Sequence, residues 1–353
     1  MTSTDRRTDL GRLAAQGLTN RKARTAAEVV RHLLAVQAQD PRGARLAVRS
    51  RSTRLHAADI DAALDDRTLV VSWLNRGTLH LVAAEDYWWL HPLTLPQLGT
   101  TNVRRLAQEG VSPEQAERGV DVVTEALSGG AVRSRQDLRD RLDAAGVPTG
   151  GQALVHVLLA TSIRGGLLRG PVVDGEQAFV SPRDWLGEPP PDLDRAEALG
   201  RLAGRYLAGH GPADAPDLAR WAGITLGDAR RGIAAAASGL REREHGLVEP
   251  TGRKRVAKPP APRLLGAFDP LLLGWVSRDS VVGPHRQVVT TNGIFRPVAL
   301  VDGRVVGTWG LAGGIVTITR LEPIADDVLT ALVKDAADVL RFLGLPRTET
   351  VVV

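Results

Sequence analysis

The sequence predicts an α+β fold, and three observations carry that reading. A helix, a sharp break, two more helices and a short hairpin open the chain. The same order of elements returns twice. From Pro259 onward the residues become strand-like, with one long amphipathic helix among them. At 353 residues the chain exceeds what one small core organises and accommodates several modules. We divide it at residues 1–108, 109–190, 191–258 and 259–353.

The first unit begins with apolar residues at helical spacing from Ala26 to Val36. Asp40-Pro41 marks a break, because the residue before proline is pushed out of the helical region. Asp40 also suits an N-cap, with Pro41 in the first turn of the next helix, PRGARLAVRSR. A third helix covers Ala57 to Asp66. Two apolar runs split by Asn75-Arg76-Gly77 then read as a β-hairpin. Helices followed by a hairpin make a winged-helix pattern. In the second unit, helices are expected over Glu114–Leu127, after a cap at Ser134, and over Gln152–Ile163, with a hairpin turning at Asp174-Gly175. The proline-rich GEPPPDLD is a stiff linker. The third unit carries three helices, the last with Arg230 and Arg231, and a short strand. Beyond Pro259, RLLGAFDPLLLGWV, FRPVALVDGRVVGTWGL and GIVTITRLE are expected as strands, Asp302-Gly303 as a hairpin turn, and Asp326–Leu343 as a helix.

No run of eighteen apolar residues exists, so no membrane span is expected, and the first residues lack the apolar core of a secretory signal. With no cysteine, disulfides, thiol catalysis and cysteine-ligated metals are excluded. The eight histidines form no His-x-x-x-His pair, and no phosphate-binding Gly-rich loop precedes a Lys-Ser/Thr, so neither metal nor cofactor is expected. A cytoplasmic, nucleoid-associated monomer fits this composition. Lysine occurs only at Lys22, Lys254, Lys258 and Lys334, so nearly all basic charge is arginine, the residue suited to bidentate phosphate contacts. GC-rich coding explains an arginine bias equally well, so the clusters say more than the total. Arg42, Arg45, Arg49, Arg51 and Arg54 form one cluster, and Arg253, Lys254, Arg255 and Lys258 another. Such groups supply the electrostatic part of nucleic-acid binding.

The combination of VQAQDPRGARLAVRSR, WLNRGTLHLVAAEDYWWL, LLGAFDPLLLGW and NGIFRPVALVDGRVVGTW resembles the AlkZ-like DNA glycosylases, which remove bulky N7-alkylated guanines and unhook interstrand crosslinks. The resemblance covers almost the whole chain in order. It implies three tandem winged-helix units forming a C-shaped basic channel around double-stranded DNA containing alkylated purines. It also implies a catalytic Gln-apolar-Gln motif, which falls on Gln37 and Gln39. The similar YcaQ-like branch carries Asp at the second position, so Gln39 favours the AlkZ-like branch. Asp40 is the next residue and is not that aspartate.

The chemistry accommodates amides. A guanine alkylated at N7 already carries positive charge and leaves as a neutral base without a general acid. The task that remains is to hold a water against the anomeric carbon. A glutamine carbonyl accepts from that water while its NH2 donates elsewhere. In an extended segment residues i and i+2 share a face, whereas on a helix they diverge. Gln37 and Gln39 are therefore expected where the helix runs out, at a helix–helix junction. The bland alternative has them satisfying backbone groups at a helix end.

The resemblance places the segment with Arg76, Thr78 and His80 near the active site, and an ordinary strand-face role is the alternative for His80. Trp88 and Trp89 read as core, with base stacking as the alternative. Phe268, Asp269 and Trp275 are expected to organise the C-terminal part. The hairpin 294–309, with Arg296 and Arg304, is expected either to enter a DNA groove or to be an ordinary exposed hairpin. The expected function is a monofunctional DNA glycosylase acting on N7-alkylguanine, including bulky lesions and crosslinks. A non-catalytic winged-helix regulator is the alternative.

Overall fold

The computed structural model describes residues 3–20, 22–191, 193–254, 256 and 258–353. Arg255 of the second basic run lies outside them. The chain is mixed α+β and forms two compact units. One combines Met1–Ile60 with Leu199–Val353, and the other is Asp61–Ala198.

The first unit opens with helices α1 (Ser3–Ala15) and α2 (Ala26–Leu33), the short extended segment β1 (Val36–Gln37), and α3 (Pro41–Arg51); α4 (Ala57–Asp65) follows. Thr25 caps α2, its hydroxyl accepting from the Glu28 amide at 3.2 Å. The helix ends three residues earlier than periodicity suggested, because Leu34 adopts φ 68°. That is unfavourable for a branched side chain, and complete burial of Leu34 offsets it. Sequence carries no Gly or Pro to announce such a stop.

In the second unit, β2 (Leu69–Leu74) and β3 (Thr78–Ala83) pair antiparallel, Ser72 facing His80 and Leu74 facing Thr78. Helices α5 (Ala84–Thr94), α6 (Gly99–Gln108), α7 (Pro113–Leu127), α8 (Arg135–Ala144) and α9 (Ala153–Ile163) follow. Ser134 caps α8 as its sequence indicated, accepting from the Asp137 amide at 3.0 Å. Strands β4 (Leu168–Val173) and β5 (Glu176–Val180) and helix α10 (Pro182–Leu186) complete the unit. Asp174 and Gly175 both take positive φ at the β4–β5 turn, the geometry that a two-residue Asp-Gly hairpin needs. Within this unit β2 is flanked by β3 and β4, with β5 outside β4.

The chain then returns to the first unit through α11 (Arg195–His210), α12 (Ala215–Ala222), α13 (Leu226–Ala235) and the small antiparallel pair β6 (Leu240–Glu242) and β7 (Val248–Pro250). Next come β8 (Arg263–Leu265), the short helices α14 (Pro270–Leu273) and α15 (Asp279–Val282), then β9 (Val298–Val301), β10 (Arg304–Ala312), β11 (Ile315–Arg320), α16 (Asp326–Phe342) and β12 (Val351–Val352). The five strands β8 to β12 form one sheet in the order β12-β11-β10-β9-β8. The segment RLLGAFDPLLLGWV is therefore not one strand. It leaves the sheet after Leu265 because Asp269 caps a new helix, accepting from the Leu271 amide at 2.9 Å, with Pro270 in its first turn. Trp275 is buried, its indole donating to the His210 carbonyl at 3.0 Å, so this segment does organise the C-terminal core. No helix among the described residues is long and apolar enough to cross a membrane.

Candidate functional site

Gln37 and Gln39 lie in the connector between α2 and α3, as their position before Asp40-Pro41 indicated. Val36 and Gln37 are extended, and residues 39 and 40 bend into the next helix. Gln37 is only 7% exposed, whereas Gln39 is exposed. The connector thus holds one amide against the protein interior and presents the other to solvent. Asp40 is engaged as a cap: its Oδ1 accepts from the Gly43 amide at 2.6 Å, satisfying a first-turn donor of α3.

A close backbone approach fixes this connector in place. A Cβ on Gly43 would collide with the Ala267 carbonyl oxygen, and one on Gly266 would lie 3.0 Å from the Gly43 Cα. The first turn of α3 therefore rests directly on the chain that leaves β8, which no larger residue at either glycine would permit.

Beyond this turn the arginines of α3 divide. Arg42 is exposed, and Arg45 is half-buried with Nη1 donating to the Pro41 carbonyl at 3.0 Å. Arg49 was expected on the DNA-binding surface, and its burial corrects that. It is 2% exposed, and it donates to Asp335 at 2.9 and 3.2 Å, to Asp338 at 2.9 Å and to the Leu264 carbonyl at 2.6 Å. Arg51 is likewise buried, forked onto Asp269 at 2.8 and 2.9 Å and donating to Gln16 at 2.8 Å. A guanidinium this far from solvent, with both terminal nitrogens engaged by carboxylates, is not placed to reach a phosphate. What reads in sequence as one basic patch is half surface and half buried ion-pair network.

In the second unit, the Asn75-Arg76-Gly77 turn has φ 52° at Asn75 and 80° at Gly77. Arg76 and Thr78 are half-buried. His80 is 3% exposed, and its Nδ1 lies 2.8 Å from the Thr78 carbonyl oxygen. A carbonyl only accepts, so Nδ1 carries the proton and Nε2 bears the lone pair. Burial, reinforced by the Arg76 charge, pushes the ring pKa down to about 3. His80 is therefore neutral at physiological pH, and its burial places it on the inner face of β3. Sequence reasoning did not single out Asn75. It is fully buried, and its amide oxygen and nitrogen, like the Thr78 hydroxyl, have no hydrogen-bond partner among the described residues. Leaving such groups unmatched is costly. The only available signal was the turn tripeptide, which reads equally well as plain turn chemistry.

Trp89 is buried and donates to Asp86 at 2.9 Å, while Trp88 is half-buried. These placements favour core over base stacking. Arg296 and Arg304 are both exposed. The hairpin between them does not project, however: a Cβ on Gly303 would collide with Leu13 of α1, so its Asp302-Gly303 tip is packed down on a helix.

Comparisons with known proteins agree with this architecture. A family model described as DNA glycosylase AlkZ-like matches residues 30–342. The chain is 30% identical to the interstrand DNA cross-link repair glycosylase of Streptomyces sahachiroi, over 95% of each chain. It matches the solved structure of the Streptomyces sahachiroi DNA glycosylase AlkZ with a TM-score of 0.82 at 26% identity, covering the whole of both chains. The chain belongs to the AlkZ-like DNA glycosylase family, enzymes that hydrolyse N-glycosyl bonds.

Proposed function

We propose that this enzyme is a monofunctional glycosylase of N7-alkylguanine in duplex DNA, acting on bulky adducts and interstrand crosslinks and leaving an abasic site. The observation that carries the reading is the Gln37-Ala38-Gln39 connector, one amide buried and one exposed, pinned before a capped helix. The Streptomyces sahachiroi relative is an interstrand cross-link repair glycosylase, and that likeness supports the substrate class.

In this reading a water held by the two amides attacks the anomeric carbon. The C–O bond forms as the C–N bond to guanine breaks, and the bonding pair neutralises the cationic purine, which departs uncharged. The water's proton passes to solvent. The Gln39 carbonyl accepts from the water, and the buried Gln37 orients it. Neutral amides suffice because the leaving group brings its own charge; they would not suffice for an undamaged base.

The four-part division at residues 108, 190 and 258, with three winged-helix units before a C-terminal part, belongs to this proposal. Its support is the recurrence of helices followed by an antiparallel pair, at β2–β3, β4–β5 and β6–β7. A basic channel for the duplex is part of the same reading, with Arg42, Arg45, Arg76, Thr78, Arg296 and Arg304 as DNA contacts. Incubating the enzyme with duplex containing N7-methylguanine or a nitrogen-mustard crosslink tests the activity. Alkali-labile abasic sites are the expected product; tight binding without base release on both substrates contradicts the proposal.

A further inference from the structure

The first unit contains a pocket of about 270 Å³ lined by Arg7, Leu10, Gly11, Arg241, Arg243, Glu249, Arg253, Lys254 and Val256. Five cations and one carboxylate meet there, and the way they are held is informative. Arg241 lies on β6 and Arg243 just past its end in extended backbone, so the two, being two residues apart, share a face. Glu249 on β7 is directly opposite Arg241 in the ladder. Its Oε1 accepts from Arg241 Nε at 2.8 Å and from Arg243 Nη1 at 2.9 Å. Burial opposes ionisation of Glu249, but the guanidiniums of Arg243 and Arg241 outweigh it and hold the carboxyl below its ordinary range. One buried charge therefore fixes two guanidiniums in place and leaves their sum positive.

Arg253 is anchored separately. It donates to the Gly211 carbonyl at 2.7 Å and the Leu207 carbonyl at 3.1 Å, at the C-terminal end of α11. On the other side, Arg7, Leu10 and Gly11 follow the i, i+3, i+4 spacing of one α1 face. Gly11 is required there, since a Cβ would lie 2.8 Å from Pro212. Arg7 and Lys254 are exposed.

The geometry points to a binding pocket for a backbone phosphodiester of DNA, formed by the β6–β7 hairpin and α1 and distinct from the glutamine connector. Preset guanidiniums with charge to spare suit a phosphate rather than a carboxylate-poor apolar ligand. The volume is at the small end for ligand pockets and fits one sugar-phosphate fragment. The contact carries no sequence information, so it registers the duplex and leaves damage recognition to other residues. This inference rests on the DNA-glycosylase reading, but its test needs no base release.

The test measures binding of an undamaged duplex across a KCl series, for wild type, Arg7→Ala/Lys254→Ala, and the charge-matched control Lys334→Ala/Arg347→Ala, whose sites are exposed and outside the pocket. Arg241 and Arg243 are left intact, so Glu249 keeps its partners. The pocket variant should bind several-fold more weakly, with the slope of log affinity against log salt reduced by about 1, and the control should keep the wild-type slope. Equal loss in both variants overturns the proposal, since net charge would then explain it. A parallel arm records the thermal midpoint with inorganic phosphate and with dAMP. If the pocket variant binds duplex normally but loses a phosphate-induced rise in midpoint, the pocket serves free phosphate and the DNA assignment fails. Failure of wild type to release N7-alkylguanine would overturn the proposed substrate without touching these outcomes.

Discussion

Arg49 and Asp335 lock the helix that follows the glutamine connector to the C-terminal helix: Arg49 Nη2 lies 2.9 Å from Asp335 Oδ2, with the arginine side chain 1% exposed. Asp335 Oδ2 also accepts from the Leu264 amide at 2.7 Å, so one carboxylate ties α16 to both α3 and β8. Removing one member of a buried pair strands the other, at a cost of about 3–5 kcal/mol. Arg49→Ala should therefore lower unfolding stability by that order in a denaturant titration. Arg42→Ala should leave stability within about 0.5 kcal/mol and weaken duplex binding instead. Near-native stability of Arg49→Ala would contradict the assignment.

Gly43→Ala probes the pinning of the connector. The new methyl group would run into the Ala267 carbonyl, a backbone atom with little room to yield. We expect about 1–3 kcal/mol of destabilisation, together with a drop in single-turnover base release at saturating DNA. A variant with normal stability and normal rate would show that the close approach does not fix the glutamines.

Removing the cap is a milder perturbation. Asp40→Ala should cost about 1 kcal/mol, the usual worth of an N-cap, and Asp40→Asn should recover most of it because an amide oxygen still accepts from Gly43. If Asp40→Asn abolished base release while stability held, the carboxylate would have a chemical role beyond capping.

Acid sensitivity follows from two buried imidazoles. His80 in one unit and His210 in the other both have pKa values lowered from 6.5 to about 3, each chiefly by burial. The unfolded chain binds protons there that the folded chain refuses. Their contribution is thus fully present above about pH 6.5 and is lost as pH falls toward 3, with a slope of up to about 1.4 kcal/mol per pH unit for each. Denaturant unfolding at a series of pH values measures it. His80→Gln should flatten the profile over this window, and an unchanged slope would show that His80 titrates normally.

Much of the architecture is legible in the sequence, and where it is not the reasons are specific. Asp40-Pro41 announced a capped helix and Asp174-Gly175 a hairpin because both rest on local backbone chemistry. Asp269-Pro270 carries the same signal as Asp40-Pro41, yet the surrounding leucines read as strand and obscure it. Leu34 ends α2 through burial, which no local pattern encodes. The arginines of α3 show the broader limit. Spacing places Arg42, Arg45, Arg49 and Arg51 on one helix, but only tertiary partners, Asp335 more than 280 residues away and Asp269 on another segment, decide which of them face inward. The phosphate pocket was hidden for a related reason: its cations come from α1 and from the β6–β7 region, which are adjacent only after folding.

In the proposed reaction Gln37 and Gln39 position the attacking water, a role open to measurement. Its most direct test is single-turnover release of N7-alkylguanine from saturating duplex by Gln37→Ala and Gln39→Ala, with duplex affinity measured in parallel. We expect a fall of about 10²-fold or more in rate for each variant, on the scale of losing a group that orients a reactant, with affinity for DNA retained. Wild-type rates in both variants would contradict it.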